Sequence, residues 1–218
     1  WQDLVETLEE GAKGALGVAI ACGAVGFIVG VTTLTGLGLK FTTITVALAN
    51  NNLFLALFFT MVACTILGTG LPTTATYIVL ATMAAPALTK LGVPVLAAHL
   101  FVLYFGVVAD LTPPAALAAY AGAGIAGSNP LKTGLTAVML AVSGFVVPFV
   151  FAYSPELLLI DAQLFELLLI IISSILGVAA LAAGVLGYLR RRTRLIEQLL
   201  LVASAVGLLI THLITDLG

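Results

Sequence analysis

The stretch LGTGLPTTATYIVLATMAAPAL, residues 67–88, places helix-breaking and oxygen-bearing residues together in an apolar sequence. Gly68 and Gly70 interrupt a helical pattern, and Pro72 suits the first turn of a new helix. Carbonyl groups freed at this break would lie beside the hydroxyl groups of four threonines, which are Thr69, Thr73, Thr74 and Thr76. Neutral oxygens of this kind are the ligands that hard cations prefer.

A second polar break follows in ADLTPPAA, residues 109–116. Pro113 and Pro114 remove two amide donors in succession, and this frees carbonyl groups. Asp110 is the strongest single candidate for function, because a carboxylate at membrane depth is costly. Its alternative role is to cap a helix that begins near Thr112 by accepting amide hydrogen bonds.

The composition places these breaks in a membrane. Of the 218 residues, 61% are hydrophobic and only 8% are charged, and the mean hydropathy is +1.24. These values predict an all-α integral membrane protein. The net charge of −2 offers no basic surface for nucleic acid, so we expect no nucleic acid partner. No catalytic motif and no cofactor-binding motif is present, so we expect no enzyme activity and no cofactor.

Segment lengths suggest how the chain crosses the bilayer, since a spanning helix needs about 20 residues. Residues 53–67 and 73–88 are each too short, so we expect a re-entrant hairpin that enters and leaves on one side. Residues 94–109 and 115–126 are also short, and we expect them to form one broken transmembrane helix. The predicted segments are 1–13, an interfacial amphipathic helix; 14–50, a spanning helix and a surface connection; 51–90, the hairpin; 91–130, the broken helix; 131–155, a transmembrane helix; and 156–218, a C-terminal transmembrane pair.

The basic residues give an independent test of this topology. With a re-entrant hairpin, six basic residues share one side, namely Lys13, Lys132, Arg190, Arg191, Arg192 and Arg194. Lys40 and Lys90 lie on the other side. The excess predicts that the first side is cytoplasmic, so the hairpin opens from the opposite face.

If the two breaks meet, they form an oxygen-lined cage, and this pattern favours sodium-coupled transport of an anion. Hydroxyl groups that bond only to their own helix are the simpler explanation for each threonine taken singly. A channel or a structural membrane subunit would also tolerate broken helices, and these remain alternatives. We interpret His99, alone on an apolar helix, as a hydrogen-bonded packing residue rather than a proton relay.

Four stretches carry a family resemblance: TLTGLGLKF, LGTGLPTTATYIVLA, AAHLFVLYFGVVADLTPPAALAAYAGAGIAG and VVPFVFAYSPELL. They resemble the large permease subunit of tripartite ATP-independent periplasmic (TRAP) transporters, and within it the fused permease of the TAXI subgroup. The resemblance implies the C-terminal half of a permease with two inverted repeats, in which an elevator-type transport domain moves against a scaffold that includes segment 14–50. The chain begins at Trp1 without an initiator methionine, which agrees with this expectation.

The resemblance also implies function. It predicts import of organic acids across a bacterial or archaeal cytoplasmic (inner) membrane, with sodium as the coupling ion. The implied partners are a periplasmic substrate-binding protein, the N-terminal half of the permease, and a small membrane subunit or its fused equivalent. The implied sodium ligands are Gly68, Gly70, Thr73, Asp110, Thr112 and Pro113. We assign substrate binding to Thr69, Thr74, Thr76 and Pro114.

This sequence departs from the family pattern at two positions. The family more often has a methionine where Thr69 stands and a small polar residue where Asp110 stands. These differences leave proton coupling open as an alternative to sodium coupling.

Overall fold

The computed structural model describes residues 1–69, 71–114, 116–160 and 163–215, and it describes their side chains except at residues 14, 17, 18, 21, 166 and 209–215. Within these residues the regular structure is helical, apart from one isolated β-bridge between Tyr188 and Arg192. The helices are α1 Gln2–Leu34, α2 Leu37–Ala49, α3 Leu53–Gly68, α4 Thr73–Met83, α5 Ala85–Lys90, α6 Val95–Ala109, α7 Leu117–Ala126, α8 Pro130–Leu140, α9 Val142–Tyr153, α10 Leu164–Leu186 and α11 Leu195–Thr215, with a 3-10 turn at Pro155–Leu158. An all-helical fold is therefore confirmed for the described part of the chain.

The first helix is continuous where two segments were predicted. Helix α1 runs for 33 residues from Gln2 to Leu34, through the expected boundary between residues 13 and 14. The change at that boundary is one of composition only, because no proline interrupts the helical hydrogen bonds. An ion pair between Lys13 and Glu9, 2.6 Å apart at a spacing of four residues, lies in the same helix just before the boundary. Placement of the first residues at the membrane interface stays a prediction.

The predicted surface connection before residue 50 is largely a packed helix. Helix α2 bends by 67° from the second half of α1. Gly36 allows this bend because it adopts a left-handed conformation with φ of 64°. Thr42, Thr45 and Ala49 are buried, since α2 packs against α3, α4 and α5.

The hairpin region forms three helices rather than two. The predicted limb 73–88 divides at Ala84 into α4 and α5. Pro86 explains the division, because it has no amide to bond the carbonyl of Thr82 one turn earlier. Limbs α3 and α4 each make far more extensive contact with α6 than with each other.

Helix α6 is the centre of the core. Phe101, Val102 and Phe105 on this helix are fully buried. The rings of Phe101 and Phe105 have centroids 4.8 Å apart, and the ring of Phe149 from α9 lies 5.3 Å from that of Phe101. This aromatic cluster packs α9 against one face of α6.

Two helical stretches of the described chain are long and apolar enough to cross a membrane, namely Pro130–Tyr153 and Leu167–Leu186. The bent pair of α1 and α2 would make a third if it counts as one span. Four shorter apolar helices are Leu53–Gly68, Val95–Ala109, Leu117–Ala126 and Leu195–Leu208. Three of these correspond to predicted half-length helices, and the re-entrant path of the hairpin stays a prediction.

Candidate functional site

The two polar breaks lie next to each other. Gly68, the last residue of α3, packs so closely on α6 that an added methyl group would lie 2.8 Å from the Cβ of Ala109. The same methyl group would be 3.4 Å from the carbonyl oxygen of Gly106. Because Asp110 follows Ala109 directly, the end of the first hairpin limb lies beside the second break.

The second limb contacts the same place on α6. A methyl group at Gly106 would lie 3.2 Å from Cγ2 of Thr76 and 3.8 Å from Cδ1 of Leu80. Thr76 is 1% exposed, and its hydroxyl donates a weak hydrogen bond of 3.4 Å to the carbonyl of Leu71 in the loop between the limbs. Thr76 therefore packs inside the contact between α4 and α6, and its role in substrate binding stays a prediction.

Asp110 occupies the C-terminal end of α6. A helix was expected to begin near Thr112. Helix α7 begins instead at Leu117, and no side chain caps it. Asp110 therefore does not cap that helix with its carboxylate; its backbone carbonyl accepts a hydrogen bond from the amide of Ala118 at 3.3 Å. Among the described residues, none donates a hydrogen bond to the carboxylate itself.

The electrostatics at this position are unfavourable for a carboxylate alone. The C-terminal end of a helix carries partial negative charge, and a carboxylate there is repelled by it. Here α3 ends at Gly68 and α6 ends at Ala109, so two such ends converge beside Asp110. The charge of Asp110 and the partial charges of both helix ends therefore have the same sign.

The loop between α6 and α7 is held by hydroxyl groups. Thr112 donates from its hydroxyl to the carbonyl of Val108 at 2.9 Å. Tyr120 donates from its phenol to the carbonyl of Pro114 at 3.0 Å. Pro113 also packs on α8, since a methyl group at Gly134 would lie 3.1 Å from its Cγ. The site thus combines one carboxylate with hydroxyl and carbonyl oxygens, which is a donor set that suits a hard cation.

The remaining predicted residues are placed less distinctively. The hydroxyl of Thr69 donates to the carbonyl of Ile66 at 2.7 Å, as expected for a threonine that bonds its own helix. Thr73 is half-buried and Thr74 is exposed at the start of α4. Gly70 lies outside the described residues. The structure brings Gly68 next to Ala109, beside the break at Asp110, and the oxygen-lined cage stays a prediction.

The sequence analysis did not predict the close contacts of Gly106 and Gly134 or the hydrogen bond of Tyr120. The signal for Gly106 was available, because it is the single glycine in the bulky apolar helix α6. The hydrogen bond predicted for His99 is present: its Nδ1 lies 3.1 Å from the phenol oxygen of Tyr77, and this bond joins α6 to α4.

Comparison with known proteins agrees with this architecture. The family described as "Tripartite ATP-independent periplasmic transporter, DctM component" matches residues 1–165 of the chain. Neither the curated proteins nor the solved structures include a significant match. DctM components are integral membrane parts of secondary transporters, and they work in general with a periplasmic binding protein and a small membrane subunit. The match covers well over half of the 218 residues, and the chain therefore belongs to the DctM component family of tripartite ATP-independent periplasmic transporters.

Proposed function

We propose that this chain is the C-terminal half of a TAXI-type permease that imports carboxylates with sodium as the coupling ion. The single observation that supports this function is the contact of Gly68 with Ala109, which brings two helix C-termini together beside Asp110. A periplasmic binding protein would deliver the substrate to the permease in the cytoplasmic membrane.

The cation would bind where α3 and α6 end. A monovalent cation there offsets the charge of Asp110 and the partial charges of two helix C-termini. Backbone carbonyls near Gly68 and Thr112 supply oxygen ligands of the kind that sodium takes in broken transporter helices. Thr73, Pro113 and Gly70 complete the proposed ligand set.

The substrate would bind at the start of α4. This helix begins at Thr73 with no side-chain cap, so its first amide groups carry unsatisfied partial positive charge. A carboxylate group of the substrate would accept hydrogen bonds from those amides and from Thr74, with Thr69 and Pro114 around it. The buried Thr76 would contribute by packing α4 on α6. The loop between α3 and α4 thus joins the C-terminal end of α3, which favours a cation, to the N-terminal end of α4, which favours an anion. A bound cation and a bound carboxylate would lie close together there, and this proximity would couple their binding.

A second candidate is proton coupling at the same position. The observation that favours it is the carboxylate of Asp110, which no described residue engages in a hydrogen bond. In that mechanism the proton would bind to Asp110 and replace sodium. An elevator-type movement of the hairpin and broken helix against the scaffold serves either coupling ion.

The experiment is uptake of radiolabelled carboxylates into proteoliposomes that hold the complete permease containing this chain, together with its binding protein. Accumulation that requires both an inward sodium gradient and the binding protein would support the proposal. Equal uptake without sodium, abolished by a protonophore, would favour proton coupling. Uptake that needs neither gradient nor binding protein would identify a passive pore and overturn the proposal.

A further inference from the structure

The turn between α10 and α11 is a fixed structure. Helix α10 ends at Leu186, and the next residue, Gly187, has a left-handed φ of 68°. The amide of Thr193 donates to the carbonyl of Gly187 at 2.9 Å, and the amide of Leu189 donates to the carbonyl of Arg191 at 3.2 Å. These bonds close a short loop on itself, so its side chains project from a defined backbone.

Two side chains from the first turn of α11, Glu197 and Gln198, form hydrogen bonds to this loop. One carboxylate oxygen of Glu197 accepts a hydrogen bond from the amide of Arg194 at 2.9 Å, and the other lies 3.0 Å from the guanidinium of Arg191. The side-chain amide of Gln198 donates to the carbonyl of Thr193 at 3.2 Å. Glu197 therefore neutralises one arginine and holds the backbone beside it.

Three arginines of the turn have no ion-pair partner among the described residues. They are Arg190, Arg192 and Arg194, and all three are exposed. Because the backbone is already ordered, only the rotamer freedom of the side chains is lost when these guanidinium groups bind a planar or tetrahedral oxyanion. The turn thus presents a concentrated positive charge with bidentate hydrogen-bond donors.

The surroundings of these arginines are apolar. Leu189, Leu195 and Ile196 are 59%, 77% and 72% exposed, and Tyr188 beside them is 59% exposed. The turn also directly follows Leu167–Leu186, which is long and apolar enough to span the membrane. Exposed leucine and tyrosine next to arginine is typical of the interfacial layer of a bilayer. Lipid headgroup phosphates are the anions concentrated in that layer.

We propose that the turn formed by residues 187–194 is a binding site for an anionic phospholipid, whose phosphate pairs with Arg190 and Arg192 while its acyl chains lie along α10 and α11. The site lies outside the region that matches the DctM family and is independent of the transport proposal. Each arginine near an anionic surface strengthens binding by about fivefold. The preference for an anionic lipid comes from its net charge, because the phosphate of a phosphatidylcholine is neutralised by its own choline. Bidentate geometry adds affinity for the phosphate, so lysine would retain the attraction and lose part of the affinity.

The test is titration of the complete permease in detergent with fluorescent phosphatidylglycerol, and with fluorescent phosphatidylcholine as the neutral comparison. We expect a preference for phosphatidylglycerol that falls by about fivefold for each of Arg190→Gln and Arg192→Gln. The double substitution to lysine should lose less than the double substitution to glutamine. Lys132→Gln removes a charge from the first turn of α8 and serves as the matched control, with no expected change.

Thermal unfolding of each variant shows that the fold is retained, because both arginines are exposed. Equal preference in the wild-type protein and in the double glutamine variant would overturn the proposal. Displacement of the lipid by glycerol phosphate at matched concentration would also overturn it, because the site would then bind free phosphate rather than a membrane lipid.

Discussion

Gly68 at the end of α3 and Ala109 at the end of α6 approach so closely that a methyl group on Gly68 would lie 2.8 Å from the Cβ of Ala109. Real Cβ atoms do not approach each other at this distance, so the contact requires a glycine at position 68. The consequence is that two helices end at one point. Asp110 lies at the same point, and this gives the carboxylate two negative helix ends as neighbours.

We expect Gly68→Ala to force α3 away from α6. Overpacking of a tight contact costs about 1–3 kcal/mol of unfolding free energy, and the variant should also lose most of its uptake. Unfolding in mixed micelles and proteoliposome uptake measure the two effects. Gly122→Ala in α7 is the control, because nothing lies within 4 Å of an added methyl group there. Combining Gly68→Ala with Ala109→Gly should restore part of both losses, and no recovery would contradict a direct steric contact.

We expect Asp110→Ala to weaken sodium activation of uptake while membrane insertion is retained. Loss of a full charge next to a monovalent cation should raise the sodium concentration for half-maximal uptake by about tenfold or more. Asp110→Glu keeps the charge, so its sodium concentration for half-maximal uptake should lie between those of the wild-type protein and Asp110→Ala. Glu156→Gln removes the charge of an acid in the 3-10 turn, away from both breaks, and serves as a control with no expected change in sodium activation. Sodium dependence that is the same in Asp110→Ala and in the wild-type protein would count against an ion-binding role.

Tyr77→Phe removes the hydrogen bond to His99 and keeps the ring. We expect a loss of about 0.5–1.5 kcal/mol in unfolding free energy, because α4 and α6 then lose one side-chain bond. Tyr104→Phe is the matched control, since no described residue bonds its hydroxyl. A double variant with His99→Phe should cost less than the sum of the single variants. Strict additivity would show that the two side chains do not interact.

Gly184→Val should separate α10 from α11. An added methyl group there would lie 2.8 Å from Cγ2 of Val202 and 3.1 Å from the carbonyl oxygen of Gln198. Since a backbone carbonyl cannot move aside easily, we expect a destabilisation of about 1–3 kcal/mol, measured by thermal unfolding in detergent. Val202→Ala should relieve part of the cost. A fully stable Gly184→Val variant would mean that the two helices do not pack at this residue.

The sequence predicted the positions of the breaks because glycine and proline act locally. Gly68 ends α3, and the proline pair after Asp110 separates α6 from α7, as expected. Pro86 carried the same kind of signal for the division at Ala84, and this signal was overlooked. The continuity of α1 through Lys13 was harder to predict. The composition changes at that residue, but the helical hydrogen bonding continues through it.

The contacts between helices were not predictable in the same way. Burial of Thr42 and Thr45 depends on which helices surround α2, and a single sequence does not specify its neighbours. The approach of Gly68 to Gly106 joins residues 38 positions apart. Only the clustering of glycine, threonine and proline indicated that the two segments share a site, and the partners within that site came from the structure.

The attachment of both hairpin limbs to α6 limits how this region can move. Limbs α3 and α4 touch each other little, and each packs extensively on α6. A movement that spreads the limbs apart must therefore break two interfaces with a third helix. A movement that carries α3, α4 and α6 together leaves both interfaces intact.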